Sequence, residues 1–286
     1  MTIWADLAEV EYRVEYVDAN GVRTRSLQAG RGESVIFLHG TSGHLEAFAR
    51  NLPAHAAAYH CHAIDMLGHG YTDKPQFPYE IPRYVEHLLS YLDATGIDRA
   101  HLVGESLGGW VAAWLASEHP SRVRSLQLIA AGGTKANPEV MQRIKAATTE
   151  AVLTDNIELT RARLNLLMHD PGSSVSDELV QIRHRIYHRP EFQANLGNLL
   201  CLQEMEIRQR NLLTPDRLAR IDAPTLVIWG RQNPFGRVPE AQSMHDQIRG
   251  SRLELFDDCG HWPQHEQADL YNKLSLGFLA GAETAM

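Results

Sequence analysis

Cysteine is scarce in this chain: three in 286 residues, Cys61, Cys201 and Cys259, odd in number and widely spaced. That pattern excludes a disulfide scaffold and fits free thiols in a reducing compartment. No paired-cysteine motif and no His-Glu-x-x-His stretch occurs. Most of the 15 histidines therefore read as scattered surface or lid residues, and no metal is expected. Positive charge is also short: 27 Lys+Arg against 35 Asp+Glu leave a formal charge of −8. With no long basic run, neither nucleic acid nor an anionic membrane is expected as a partner. No apolar run reaches the length of a membrane span. The start, Met1-Thr2-Ile3-Trp4-Ala5-Asp6, has neither the basic nor the apolar region of a secretory signal. The expectation is a cytoplasmic protein whose partner is a small molecule.

What is present is a regular alternation. A hairpin is expected from strands at 10–17 and 22–27, joined by Asp18-Ala19-Asn20-Gly21. Short apolar strands follow at 34–38, 60–65, 100–104, 123–130, 224–230 and 252–256. Helices are expected at 45–52, 79–96, 110–118, 239–248 and 268–279. Strands alternating with helices predict an α/β fold, a doubly wound, mostly parallel eight-stranded sheet. Between about 134 and 218 the pattern turns all-helical, with Ile144, Leu153, Ile157, Leu164 and Leu167 at helical spacing. An insertion of that kind reads as a helical cap over the site. Residues 1–133 and 219–286 would form the core, and 134–218 the cap.

The chemistry centres on Gly104-Glu105-Ser106-Leu107-Gly108, which ends one strand and opens a helix. Gly-x-Ser-x-Gly in that setting is a tight elbow that lifts the serine Oγ out of the sheet and sets a helix N-terminus behind it. Ser106 is the expected nucleophile. A serine hydroxyl needs a base, and in a doubly wound sheet that base comes from another loop at the carboxyl ends of the strands. His261, in the loop after the last strand, meets this condition. The backbone N–H groups of Leu107 and Thr41 are the expected oxyanion hole.

Through His39-Gly40, the Asp65 to Asp73 loop, the Ser106 elbow, Trp229-Gly230-Arg231 and Cys259-Gly260-His261-Trp262, the chain resembles the α/β-hydrolases over nearly its whole length. Its C-terminal third looks most like the meta-cleavage-product hydrolases, which cut a carbon–carbon bond in 2-hydroxy-6-oxo-dienoates. The resemblance implies no cofactor and allows a homodimer. Carried over by position, it implies that Arg183 grips the substrate carboxylate, that Trp262 lines the site beside the histidine, and that Phe235 walls the pocket.

Three places depart from the family pattern, one of them the subfamily's glycine-rich loop with its Gly-Pro-Gly, which here is only Thr41-Ser42-Gly43-His44. Where the family has its aspartate, this chain has Asn233, whose carbonyl can orient the histidine but not stabilise an imidazolium by charge. In a serine protease the same Asp-to-Asn change costs roughly 10⁴ in turnover. Three accounts stay open: another carboxylate serves (Asp258 or Glu139), the asparagine replaces a natural aspartate, or the native chemistry asks little of the acid. The residue before the nucleophile, usually Asn in the subfamily, is Glu105. A carboxylate there would repel an anionic dienoate, unless it is protonated or turned away, and would favour a neutral ester. The leading expectation is a C–C bond hydrolase. A carboxylesterase or lactonase is the alternative, and a catalytically degenerate ligand-binding homologue the third.

Overall fold

A computed structural model describes residues 3–8 and 10–284; Met1 and Thr2, part of the signal reading above, lie outside them. The sheet has eight strands in the order β1-β2-β4-β3-β5-β6-β7-β8. They are β1 (Tyr12–Ala19), β2 (Val22–Ala29), β3 (Ser34–Leu38), β4 (His60–Ile64), β5 (Ala100–Glu105), β6 (Val123–Ile129), β7 (Thr225–Gly230) and β8 (Arg252–Phe256). β2 runs antiparallel to both β1 and β4, and every other pairing is parallel. This is the doubly wound, mostly parallel sheet expected.

The central strands are apolar because both their faces are covered. Every residue of β5 and of β7 is buried. Trp110, Tyr84 and Leu102 belong to one core cluster, and Phe37, Val103 and Tyr271 to another. The covering helices include α1 (Ile81–Ala94), α2 (Leu107–Glu118), and, after the helical segment, α6 (Val238–Gln247) and α7 (Ala268–Thr284). Several boundaries shift from expectation, and two of the helical differences have clear reasons. The helix expected at 45–52 is a 3₁₀ turn (Leu45–Phe48) and a short helix (Leu52–Ala56), which carries Pro53 in its first turn. The helix expected from Trp110 already begins at Leu107, with Ser106 as its N-cap, because the elbow itself is the helix entry.

Among the described residues no strand lies between β6 and β7. The main helices there are α3 (Pro138–Leu153), α4 (Ile157–Asn165) and α5 (Asp177–Tyr187). Each has a side-chain N-cap: Asn137, Asn156 and Ser176 accept from backbone N–H groups of the first turn. The segment docks on the carboxyl end of the sheet. Leu167 O accepts from the His261 N–H at 2.6 Å, and Asn211 O from Trp110 Nε1 at 2.9 Å.

Candidate active site

Ser106 has φ 53° and ψ −110°, a conformation that costs a non-glycine residue about 1–3 kcal/mol and persists only where its surroundings enforce it. Here β6 does so: Ser106 N donates to Ile129 O at 2.9 Å, and Gly132 N donates to Ser106 O at 3.0 Å. Gly108 is needed for contact as well. A Cβ there would lie 2.1 Å from Leu38 O. As the first residue of α2, Leu107 has an N–H with no partner inside the helix, at the end where the dipole is positive. Thr41 lines the same cavity as Ser106. Its loop is held by His39, which accepts from Met66 N–H through Nε2 at 3.1 Å and donates from Nδ1 to Gly40 O at 2.8 Å. Burial, with His69 adjacent, keeps that ring neutral by pushing its pKa far below the usual histidine range.

His261 enters the same cavity from the loop after β8. Its Nδ1 lies 2.9 Å from Asn233 Oδ1, and the backbone N–H of Phe235 donates to that same oxygen at 3.1 Å. The second bond fixes the amide's orientation, so Nδ1 carries a proton and Nε2 is the basic nitrogen. The Phe235 ring stands edge-on to the imidazole, 5.0 Å between centroids.

The other side of the imidazole holds the unexpected feature. Glu105 Oε1 lies 3.2 Å from His261 Nε2. Glu105 is 1% exposed, and its Oε2 has no hydrogen-bond partner. The carboxylate thus faces into the site, neither turned away nor held behind the elbow. The two alternatives considered for the acid are elsewhere. Asp258 is exposed and reaches towards His169 at 4.0 Å. Glu139 is exposed in the first turn of α3.

Arg183, on α5, is 1% exposed and lines the cavity. Its guanidinium stands 5.7 Å from the Trp262 ring, and one nitrogen donates to Tyr187 Oη at 3.4 Å. Tyr187 in turn donates to Ser42 Oγ at 3.0 Å. The Nε and Nη2 of Arg183 have no partner. Arg163, on α4, also lines the cavity and is 4% exposed. It was missed in the sequence. The available signal was its place beside Leu164 and three residues after Thr160, on the buried face of α4. Burial alone would push the Tyr187 phenol up, but Arg183 and Arg163 outweigh it and hold its pKa below the usual tyrosine value.

Nine of the residues singled out from the sequence thus converge, and Asp258 and Glu139 do not. Ser106, Thr41, Glu105, Arg183, Phe235, His261 and Trp262 line one cavity. Asn233 lines an adjoining one that shares Ser106, Phe235 and His261, and Leu107 supplies the helix start. One trio with metal-ligand chemistry, Asp155, His184 and His188, lies apart from it. Its ring nitrogens are already bonded to Thr160, Asp155, His184 O and Thr154 O.

A strained serine elbow at the centre of this sheet, with a histidine after its last strand, defines an α/β-hydrolase. The alpha/beta hydrolase fold family matches residues 33–268, and the chain belongs to that family. The chain is 35% identical over 264 residues to a 2-hydroxy-6-oxo-6-phenylhexa-2,4-dienoate hydrolase of Burkholderia cepacia, covering 88% of this chain and 89% of that protein. It is 32% identical over 283 residues to a 2-hydroxymuconate semialdehyde hydrolase of Pseudomonas sp. (strain CF600), covering 93% and 94%. Among solved structures, a meta-cleavage product hydrolase from Pseudomonas fluorescens IP01 superposes with a TM-score of 0.82 at 28% identity, covering 96% of this chain and 99% of that one. No helix among the described residues is long and apolar enough to cross a membrane.

Proposed function

We propose that this enzyme hydrolyses the C5–C6 bond of a 2-hydroxy-6-oxo-2,4-dienoate, with Ser106 and His261 at the reacting carbonyl and Arg183 on the substrate carboxylate. The observation that carries the reading is Arg183: a buried guanidinium with two unpartnered nitrogens in the cavity that holds Ser106. A planar fork of donors matches a carboxylate, and a neutral ester leaves it unpaired. Residues 134–218 act as the cap that brings Arg183 over the sheet, and the three buried thiols suit a reducing cytoplasm.

The bond is cleaved with its electron pair on C5, so C5 must gain a proton and C6 an oxygen. His261 donates to Asn233 through Nδ1, and its Nε2 faces the Glu105 carboxylate. A hydrogen must lie between Nε2 and Oε1 for that contact to be attractive. With that hydrogen in place, the pair holds one transferable proton. Delivered to C5 of the bound dienolate, this proton gives the ketone tautomer and frees Nε2. The freed nitrogen then takes the proton of Ser106 (or of a water) as its oxygen attacks C6. Thr41 and Leu107 N–H groups receive the oxyanion. Asn233 orients the ring, and Glu105 supplies the counter-charge that Asn233 lacks. The ester reading rested on Glu105 as a repelling charge and on the plain oxyanion loop at Thr41-Ser42-Gly43, and the 3.2 Å contact of Glu105 with His261 removes the first of these supports.

A side-by-side rate on a yellow 2-hydroxy-6-oxo-dienoate and a p-nitrophenyl ester tests the reading. Fast bleaching of the dienoate with slow ester turnover is expected. Arg183→Gln should raise KM for the dienoate by about 100-fold, the scale of a lost charge-assisted pair, and leave ester KM within about 3-fold. Fast ester turnover without dienoate bleaching would overturn it.

A further inference from the structure

A second group of polar side chains lies in the helical segment, and it lines neither cavity at Ser106. His184 is in the last turn of α5 and His188 caps that helix. Residues four apart share one helix face, and the two ring centroids are 4.1 Å apart. Asp155, in the loop between α3 and α4, completes a trio whose ligand atoms all lie within 4.8 Å of one another. The backbone carbonyl of Thr154 borders the same space, 3.1 Å from His188 Nε2. Asp155 is exposed and both rings are half-buried, so the group opens to solvent.

The contacts in this group are one hydrogen short. A neutral imidazole has one N–H, and a carbonyl oxygen only accepts. His184 can be satisfied while neutral: its Nε2 is 3.3 Å from Asp155 Oδ1, and its Nδ1 is 3.0 Å from Thr160 Oγ1, a hydroxyl that donates or accepts. His188 cannot. Its Nδ1 lies 2.9 Å from His184 O and its Nε2 3.1 Å from Thr154 O. Once Nδ1–H donates to His184 O, the Nε2 lone pair points at a second carbonyl oxygen, and only a further proton or a metal cation makes that contact attractive. The paired rings work against protonation: burial, and then the adjacent His188, hold the His184 pKa below the usual histidine value despite Asp155. Metal ligation needs the opposite state, neutral rings with Nε2 free and Nδ1–H held by an oxygen. Thr160 Oγ1 and His184 O are placed to hold them. The 3.3 and 3.1 Å contacts are also close to the edge of about 3.3 Å in a tetrahedral site with bonds of ~2.0–2.1 Å.

We propose that Asp155, His184 and His188 bind a divalent zinc-class ion that clamps the helical segment. Two imidazoles and one carboxylate suit zinc, whereas magnesium and calcium take oxygen ligands. Thr154 O or a water fills the fourth position. The ion ties the loop between α3 and α4 to the end of α5, the helix that carries Arg183, and takes no part in the reaction. The expectation of no metal weighed paired cysteines and His-Glu-x-x-His; a histidine pair four residues apart, closed by an aspartate from another loop, escapes both.

The test is calorimetric titration of the chelator-treated, tag-free protein with zinc chloride. Wild type should bind one ion per chain with a Kd in the micromolar range or tighter, and cobalt in its place should give the visible bands of a tetrahedral site. His184→Gln, His188→Gln and Asp155→Asn should each weaken zinc binding by at least about 10-fold. Zinc at about 100 times Kd should raise the wild-type thermal midpoint by several degrees and leave that of His188→Gln where it was. Asp155→Asn changes an exposed side chain, so its loss of binding cannot come from misfolding, and the zinc-free midpoints check the histidine variants. Absence of saturable binding to wild type would overturn the inference and leave His188 an imidazolium. Undiminished affinity in either histidine variant would also overturn it, by locating the zinc elsewhere. Neither result bears on the C–C hydrolase reading.

Discussion

Exchanging the charges on either side of His261 probes the site most directly. The perturbation is a set of three variants: Glu105→Gln, Asn233→Asp, and the two combined. Glu105 Oε1 is 3.2 Å from Nε2, and the side chain is 1% exposed, so solvent does little to screen the pair. At an effective dielectric of about 20, an ion pair this close is worth about 5 kcal/mol before desolvation. A hydrogen bond to a charged group contributes about 1.5–3 kcal/mol net. Loss of Glu105 should therefore cost about 2–4 kcal/mol at the transition state, or about 30- to 1,000-fold in kcat. Asn233→Asp alone places a second carboxylate at the 2.9 Å contact with Nδ1. The imidazolium already has a counter-charge, so the gain should stay below about 10-fold, far from the roughly 10⁴ that the same exchange is worth in a serine protease. The combined variant, with its carboxylate moved to the Nδ1 side, should recover to within about 10-fold of wild type. Stopped-flow bleaching of the dienoate reads all three, with thermal midpoints to check folding. An Asn233→Asp variant faster than wild type by 100-fold or more would refute the assignment of charge to Glu105. So would a Glu105→Gln variant within 3-fold of it.

Other expectations concern stability and the elbow. Burial pushes His55, His87 and His265 down to about 4, and His62 and His69 to about 3, whereas in the unfolded chain such rings protonate near 6.5. Between those values the unfolded state binds more protons. The stability these rings contribute is therefore complete above pH 6.5 and lost as pH falls towards 4, by up to about 1.4 kcal/mol per pH unit per ring. Urea midpoints at pH 7.5 and 5.0 should fall steeply in wild type, and less so in His87→Gln, which keeps a partner for Thr24 (Oγ1 to Nε2, 2.7 Å); equal wild-type midpoints would contradict this. Gly108→Ala puts a methyl group 2.1 Å from Leu38 O, backbone that cannot move without shifting β3. It should lower the thermal midpoint by several degrees and activity by at least about 10-fold, and an unaffected enzyme would show that the elbow is looser than described.

Much of the fold could be read from the chain because its signals are local. The continuous apolar runs that become β3 and β5, and the glycines flanking Ser106, each state their requirement within ten residues. Strand ends were less legible: β2 runs on to Ala29 because Gln28 and Ala29 pair with His62 and Cys61 of β4, partners that no local pattern reveals. Ser106 and His261 could be placed from strand–loop position, and Arg183 only through resemblance. Arg163 was not among the expected site residues, because helical periodicity registers apolar residues and gives no weight to a cation on the buried face.

By itself, then, the sequence determined the order of strands and helices, the serine elbow, and the loop from which its base would come, since backbone sterics and hydrophobic periodicity act between near neighbours. Tertiary structure alone decided that Glu105 faces His261 Nε2, that Asn233 holds Nδ1, and that Arg183 and Arg163 line the cavity of Ser106. Those relations depend on the directions of side chains carried by separate loops and helices. Packing of the helical segment on the sheet settles these directions, and no pattern along the chain encodes them.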